Sequence, residues 1–251
     1  MATTSFDFLQ FPPGSVAVVT GAASGIGRAT ADLLIKAGVA VSGWDLSEKA
    51  INEWAETAIA SGGRALGLVV DVTDQAAVES ALAQSVDRLG PIGFLVNNAG
   101  PASTSEFTFE DALRISAGSV ELVTRSWLAT EGSENGHVVN ISSVAGFHIG
   151  VGQSWYPAAK AAIAGYTKYL AMNRPNGIRA NAVAPGMTVT PRTRAFYVES
   201  EAGRAIVERN PFKRPAQPED IASAIVYLLA PVSTYVNGLL VPVDGGSLLT
   251  Q

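Results

Sequence analysis

The stretch "SVAVVTGAASGIGRATADLLIKAG", residues 15–38, joins a short β-branched run, a glycine-rich turn and a helical pattern without interruption. The run is continuously apolar, as expected of a strand that is buried on both faces of a parallel sheet. Gly21, Gly25 and Gly27 allow a tight turn and a close approach of the backbone to a ligand. The helix that follows directs its first amides at an anion. The stretch therefore predicts a βα unit that binds the pyrophosphate of a dinucleotide.

The same alternation of strand and helix continues along the chain. Further apolar runs cover 38–44, 64–70, 93–98, 136–143, 177–185 and 238–246. Helical spacing covers 27–38, 47–60, 74–89, 108–129, 155–173 and 218–229. Strands that alternate with helices of this length form right-handed crossovers in a doubly wound sheet. We predict a single α/β domain over 1–251, with a parallel sheet of about seven strands and helices on both of its faces.

Composition excludes several classes of protein. With 47% hydrophobic and 16% charged residues the chain is expected to fold, and a net charge of −5 disfavours nucleic-acid binding. The absence of cysteine excludes disulfides and Cys-ligated zinc, and it agrees with a reducing cytoplasm. No secretory signal is evident, and no apolar run reaches the roughly 18 residues of a membrane span. The two histidines lie far apart, so we expect no metal, no membrane and a cytoplasmic location.

An acidic residue ends the second predicted strand, in "GWDLS" at 43–47. Asp45 is placed where a carboxylate can accept both hydroxyls of the adenosine ribose. Its charge would repel a 2′-phosphate, and neither Ser24 nor Leu46 supplies the cation that NADP requires. We therefore predict NAD rather than NADP as the cofactor. The alternative is that Asp45 caps the next helix.

Several motifs, taken in order and spacing, resemble those of a known family. They are "TGAASGIG" (20–27), "DVTD" (71–74), "NNAG" (97–100), "NISS" (140–143), "YPAAK" (156–160), "NAVAPGMTVT" (181–190) and "VDGG" (243–246). On these motifs the sequence is identified as a member of the short-chain dehydrogenase/reductases, in their compact single-domain branch. The resemblance covers nearly the whole chain and implies a Rossmann-like fold, a nicotinamide cofactor and an oxidoreductase.

The resemblance also implies the residues that hold the cofactor. Asp71 and Val72 resemble the pair that contacts adenine, and the segment from Pro185 to Thr190 resembles the one that meets the nicotinamide carboxamide. The implied cofactor site consists of Gly21, Ser24, Gly25, Ile26, Gly27, Asp45, Leu46, Asp71, Val72, Asn98, Ala99, Gly100, Tyr156, Lys160, Pro185, Gly186, Thr188 and Thr190.

Tyr156 and Lys160 lie one helical turn apart, which brings them to one face of a helix. In the family, the tyrosine is the acid/base, the lysine lowers its pKa and binds the ribose, and a serine thirteen residues earlier, here Ser143, orients the substrate oxygen. The chemistry accounts for these residue types. A free phenol has a pKa near 10, and both the lysine ammonium and the positive nicotinamide ring favour phenolate. Pro157 suits the first turn of the helix and places Tyr156 at its start.

One position departs from the family pattern. A fourth catalytic residue, an asparagine that holds a water in a proton relay, is usual in the helix after "NNAG", and Ser116 stands there instead. Its hydroxyl could bond a water or an upstream carbonyl. The string from Ser116 to Ser119 is a poor helix interior, so we also predict a local distortion.

The substrate site is expected where loops meet at the carboxyl ends of the strands. Its implied lining is aromatic and comprises Phe147, His148, Val151, Trp155, Phe196 and Tyr197, each of which could instead pack a lid. We predict a hydrophobic, cyclic or aryl secondary alcohol and its ketone as the substrate pair. Arg192 and Arg194 either bind an anionic substrate or face solvent, and we favour solvent.

Two other functions are compatible with the sequence. One is a 3-oxoacyl-(acyl-carrier-protein) reductase, an activity that usually uses NADPH and a basic docking patch. The other is a nucleotide-binding regulator with weakened catalysis, which Ser116 would allow and the intact Ser143, Tyr156 and Lys160 oppose. The resemblance further implies a homotetramer, assembled through the helix of Tyr156 and the last strand.

Overall fold

The computed structural model of the protein describes residues 6–147 and 152–250. Its strands are β1 (Val16–Thr20), β2 (Ala40–Asp45), β3 (Ala65–Val69), β4 (Phe94–Asn97), β5 (His137–Ile141), β6 (Arg179–Pro185) and β7 (Leu240–Val243). They form one seven-stranded sheet in the order β3-β2-β1-β4-β5-β6-β7, and every neighbouring pair is parallel. This confirms the predicted doubly wound α/β fold.

Helices cover both faces of the sheet. They are α1 (Gly25–Lys36), α2 (Glu48–Ala60), α3 (Gln75–Leu89), α4 (Phe109–Leu113), α5 (Ser119–Leu128), α6 (Trp155–Asn173), α7 (Glu201–Arg209) and α8 (Pro218–Leu229). Side chains of α1, α2 and α8 fill one half of the core, where Trp54 is fully buried. Side chains of α3, α5 and α6 fill the other half, with Trp44 of β2 and Trp127 fully buried.

Two helical regions differ from the sequence prediction. The pattern over 108–129 predicts one helix, but a π-helical turn (Arg114–Gly118) separates α4 from α5. This turn coincides with the distortion expected around Ser116. Helix α7 was not predicted, because its sequence is mostly polar and buries only Gly203 and Val207.

The strand order reverses between β1 and β4, where Ala17 pairs with Phe94. A crevice at the carboxyl ends of two such strands is the usual ligand site of an open α/β sheet. Here Thr20 Oγ1 accepts hydrogen bonds from the amides of Asn98 (2.9 Å) and Ala99 (3.0 Å). The Asn98 side chain donates back to the Thr20 carbonyl at 2.9 Å. These bonds fix the two strand ends against each other and position the loops on either side of the crevice.

Candidate active site

The glycine loop after β1 leaves no space for side chains. A Cβ added to Gly27 would lie 2.1 Å from the Gly21 carbonyl oxygen, and one added to Gly21 would lie 2.7 Å from Asn98 Nδ2. Gly21 and Gly25 also adopt positive φ angles of 68° and 55°, which L side chains rarely adopt. The Ser24 side chain makes no capping bond to α1, so the first amides of this helix remain available to an anion.

A cavity of about 620 Å³ runs along the crevice from β2 and β3 to the loop after β6. Most of the predicted cofactor residues line it: Gly21, Ser24, Gly25, Ile26, Asp45, Leu46, Asp71, Val72, Asn98, Ala99, Gly100 and Thr190. The other predicted cofactor residues are not in its wall, namely Gly27, Tyr156, Lys160, Pro185, Gly186 and Thr188. Gly27 lies behind Gly21, and Thr188 is tied to its own loop by a 3.1 Å bond to the Gly186 carbonyl.

Asp45 stands at the β2 end of this cavity with its carboxylate held by the backbone. Its Oδ2 accepts from the Ala23 amide at 3.1 Å and its Oδ1 accepts from the Ser47 amide at 3.0 Å. Ser47, not Asp45, occupies the N-cap position of α2, so the helix-capping alternative does not hold. Each oxygen keeps a lone pair that faces no described donor. The side-chain-free cradle, the uncapped amides of α1 and this carboxylate together fit a nicotinamide dinucleotide.

Ser143, Tyr156 and Lys160 come together where β5 ends and α6 begins. Helix α6 starts at Trp155, with Pro157 in its first turn, as predicted. Lys160 Nζ lies 5.8 Å from the centre of the Tyr156 ring and donates to the Ile141 carbonyl at 2.9 Å. The Ser143 side chain faces the Tyr156 phenol and lowers its pKa. The structure therefore assembles the three groups, while their catalytic roles stay predictions.

Burial is the largest influence on the ionisation of Tyr156 and Lys160 in the protein alone. Burial raises the pKa of Tyr156 above its ordinary value, against the smaller lowering effects of Ser143 and of the Arg192 charge. Burial, with a contribution from Arg192, lowers the pKa of Lys160 to about 8. In the protein alone Tyr156 is thus a neutral phenol at pH 7. The role of Lys160 in favouring the phenolate beside a bound nicotinamide stays a prediction.

Ser116 lies in the π-helical turn and is 4% exposed. Its hydroxyl has no hydrogen-bond partner within the described part of the chain, so the upstream carbonyl considered from the sequence is not its acceptor. The neighbouring Ser119 hydroxyl instead donates to the Ser116 carbonyl at 3.1 Å.

The predicted substrate residues fall into three groups. Phe147 and Phe196 are partly exposed, and Phe196 packs edge-to-face against Tyr197. Trp155 is 2% exposed and packs between Tyr156 and Phe107, so it supports the phenol from behind. His148 and Val151 lie outside the described residues.

Sequence reasoning missed the residues that hold this site together. The Ser142 hydroxyl donates to the Lys160 carbonyl at 2.8 Å, which ties the end of β5 to α6. Asn97 Nδ2 donates to Thr124 and to Asn140, and Asn140 Nδ2 donates to Thr167, so a buried polar network joins β4, β5, α5 and α6. A polar residue within an otherwise apolar strand, such as Asn140, is the one signal that could have indicated this network.

Comparisons with known proteins agree with this fold. A family model described as enoyl-(acyl carrier protein) reductase matches residues 21–247. The chain is 33% identical over 244 residues to 3-oxoacyl-[acyl-carrier-protein] reductase FabG of Thermotoga maritima, covering 94% of this chain and 98% of the relative. The chain belongs to the short-chain dehydrogenase/reductase family.

Two further similarities bear on the substrate and the cofactor. The chain is 37% identical over 240 residues to cis-4-hydroxycyclohexanecarboxylate dehydrogenase of Sinomonas cyclohexanicum, covering 92% of this chain and 95% of the relative. A crystal structure of an actinorhodin polyketide ketoreductase variant with NADPH superposes with a TM-score of 0.84 at 32% identity, covering 93% of this chain and 97% of that one. The chain is therefore an oxidoreductase of this family that uses a nicotinamide cofactor and acts on small molecules.

Two structural findings concern membranes and metals. Over residues 6–147 and 152–250, no helix has the length and apolar character needed to cross a bilayer. The same residues contain no group of three or more His, Asp or Glu side chains that could hold a metal ion.

Proposed function

We propose that the protein is an NAD-dependent oxidoreductase that interconverts a hydrophobic, cyclic or aryl secondary alcohol and its ketone. The observation that carries this proposal is the meeting of Ser143, Tyr156 and Lys160. The charge of Arg192 acts on Tyr156 and Lys160, and Arg192 lines the cavity that ends at Asp45. The cofactor, when bound, supplies hydride chemistry that protein side chains lack.

The side chains of the protein supply the proton chemistry. Tyr156 exchanges the proton of the substrate hydroxyl, and Ser143 donates a hydrogen bond to the same oxygen. The protonated phenol found at neutral pH is the form that donates to a ketone oxygen, whereas alcohol oxidation requires the phenolate. The rate of alcohol oxidation is therefore expected to rise with pH.

Asp45 supports NAD as the cofactor. Its carboxylate is fixed by two backbone amides, so it cannot rotate away from a 2′-phosphate without losing both bonds. Leu46 beside it is 70% exposed and offers no positive charge. Against this stands the ketoreductase relative crystallised with NADPH, so the cofactor is the part of the proposal to test first.

The cyclic substrate is supported by the aromatic surroundings of Tyr156 and by one relative. Phe107 lines the cavity, and Phe196 and Tyr197 pack together in the segment after β6. The relative named for cis-4-hydroxycyclohexanecarboxylate oxidises a ring alcohol and has the higher identity of the two curated proteins described above.

The test compares the purified protein with Tyr156→Phe and, as a matched control on the same helix, Tyr169→Phe. We expect oxidation of cyclic secondary alcohols, followed at 340 nm, with NAD preferred over NADP by about tenfold or more in kcat/KM. Tyr156→Phe should lower kcat by roughly 10²-fold or more, as for loss of a general base. Its Kd for NAD should stay near the wild-type value, and Tyr169→Phe should retain full activity.

Each part of the proposal can fail separately. A preference for NADP would contradict the assignment of Asp45, and full activity of Tyr156→Phe would contradict the acid/base role. Turnover restricted to 3-oxoacyl thioesters with NADPH would favour the second candidate, an acyl-carrier-protein reductase, which the FabG relative supports.

The homotetramer and the cytoplasmic location stay predictions. Two exposed apolar side chains on α6, Tyr169 and Met172, are consistent with an assembled protein.

A further inference from the structure

Arg192 extends from the loop after β6 to the opposite wall of the cavity. Its Nη1 donates to the Gly100 carbonyl at 2.8 Å, and its side chain lines the cavity. The side chain is exposed to solvent, as predicted from the sequence, and this contact also holds it against the cavity wall. The contact between Arg192 and Gly100 could not be predicted from the sequence, because Gly100 is distant along the chain.

The turn that carries Arg192 is held in one conformation by its neighbour. Thr193 Oγ1 donates to the Thr188 carbonyl and accepts from the Thr190 amide at 2.9 Å. The amides of Thr193 and Arg194 both donate to the Thr190 carbonyl at 3.0 Å. The guanidinium is therefore presented from a fixed backbone, which lowers the entropic cost of binding a ligand through it.

The charge of Arg192 is not neutralised within the described part of the protein. Arg194, two residues away, pairs with Glu199 at 3.8 Å, whereas no described carboxylate lies within 4.0 Å of Arg192. The Arg192 charge instead lowers the pKa of both Tyr156 and Lys160, so it lies close to the reacting groups. The bond to Gly100 uses one nitrogen and leaves Nε and Nη2 without a described partner.

An uncompensated guanidinium with free donors is suited to a carboxylate, which it can bind through two parallel hydrogen bonds. The aromatic side chain of Phe107, which lines the same cavity, suits the ring of such a ligand. We propose that Arg192 binds a carboxylate on the substrate, so that the enzyme takes cyclic secondary alcohols or ketones that carry a negative charge. This inference rests on the proposed function and names its substrate class.

A second anion could occupy the same guanidinium, namely a phosphate of the cofactor. The uncapped first turn of α1 already offers amides to that phosphate. The charge of Arg192 acts on Tyr156 and Lys160, the groups proposed to meet the substrate oxygen and the ribose, which favours the substrate over a cofactor phosphate. The experiment separates the two by measuring cofactor and substrate binding independently.

The test measures binding, not only turnover. Calorimetry of the enzyme–NADH complex compares cyclohexanecarboxylate with its neutral isostere cyclohexanecarboxamide, for the wild type, Arg192→Met, Arg192→Lys and the control Arg194→Met. We expect the wild type and Arg194→Met to bind the carboxylate about tenfold or more tightly than the amide, as for a charge-assisted bond. Arg192→Met should lose this preference while its Kd values for the amide and for NADH stay within about twofold. Arg192→Lys should keep part of the preference, because it retains the charge without the planar pair of donors.

Three results would overturn the proposal. The first is a wild type that binds neither ligand or shows no preference for the carboxylate. The second is loss of the preference in Arg194→Met as well as in Arg192→Met. The third is an Arg192→Met variant that binds NADH more weakly and still prefers the carboxylate to the amide, which would assign the arginine to the cofactor phosphate. If hydroxycyclohexanecarboxylates are not oxidised but the Arg192-dependent preference holds, the proposed function fails and the anion site stands.

Discussion

At the scale of single residues, Ser116 combines burial with an unpaired hydroxyl. A buried hydroxyl without a partner costs free energy, commonly about 1–3 kcal/mol, so a residue that served only packing would be better as alanine. The π-helical turn around it widens the helix at this point, and such turns are frequent at functional sites. Ser116 is therefore a candidate positioning residue in the proton path behind Lys160.

We predict that Ser116→Ala keeps or raises the stability of the protein and lowers kcat by about tenfold or more. Stability is preserved because the variant removes a hydroxyl that bonds no described residue. The measurements are urea unfolding and the pH profile of kcat. The basic limb of this profile should shift to another pH when a proton path is altered, whereas a loss of packing alone would leave its position unchanged.

Ser116→Asn provides the complementary experiment, because it restores the residue usual in the family. If Ser116→Ala has wild-type turnover and an unchanged pH profile, the hydroxyl takes no part in the reaction. If Ser116→Asn increases turnover strongly, the native relay is impaired by the serine. The kinetic comparison requires that each variant be at least as stable as the wild type in urea unfolding.

At the scale of elements, the contact between β2 and α2 leaves room only for glycine at position 43. A Cβ added to Gly43 would lie 2.3 Å from Cζ3 of Trp54. Trp54 cannot withdraw easily, because it is fully buried and its Nε1 donates to Asp32 at 2.9 Å. The glycine in this strand therefore serves the close approach of the indole ring.

We predict that Gly43→Ala lowers the free energy of unfolding by about 1–3 kcal/mol or more, since it overpacks a filled core. The matched control is Gly165→Ala in α6, where an added Cβ meets no atom within 4 Å. That variant should be neutral or more stable by up to about 1 kcal/mol, from helix propensity. Equal stability of both variants in urea unfolding would show that the Trp54 contact is not restrictive.

The elements also show which features a sequence reveals. The strands were predictable because burial on both faces requires continuous runs of β-branched, apolar residues. The end of α1 was predictable because Gly38 has a positive φ of 82°, a conformation that favours glycine. Helix α7 was missed because it hardly enters the core. Arg192 and Thr20 act on residues far along the chain, Gly100 and Asn98, and a local pattern carries no record of such contacts.

At the scale of the whole molecule, His137 connects stability to pH. It is the first residue of β5, at the amino ends of the strands, whereas the active site lies at their carboxyl ends. Its Nδ1 bonds the Leu229 carbonyl at the end of α8. Burial lowers the pKa of His137 to about 4, against the hydrogen bond to the Leu229 carbonyl, which raises it, and with a smaller lowering effect of the Arg179 charge. Folding therefore keeps this imidazole neutral in a range where the unfolded chain protonates it.

We predict that stability rises with pH between about 4 and 6.5 through this residue. In that window the unfolded state binds the additional proton, so the free energy of unfolding increases with pH. The loss of unfolding free energy at low pH is at most about 3 kcal/mol, and there is no loss above the pKa of the unfolded chain. His137→Gln should flatten the curve of unfolding free energy against pH in this window, measured by urea titrations. Parallel curves for the two proteins would contradict the prediction.

The reversal of strand order between β1 and β4 also has a consequence during synthesis. Strands β2 and β3 can join β1 as soon as they leave the ribosome, but the second edge of β1 waits until Phe94 and its neighbours have been made. Until then the nascent chain presents an unpaired edge of a largely apolar strand at what becomes the middle of the sheet. Pairings so distant in sequence form slowly, and half-made sheets with open edges associate with one another. We therefore expect the switch point that creates the crevice to make folding during synthesis more prone to association than folding of the completed chain.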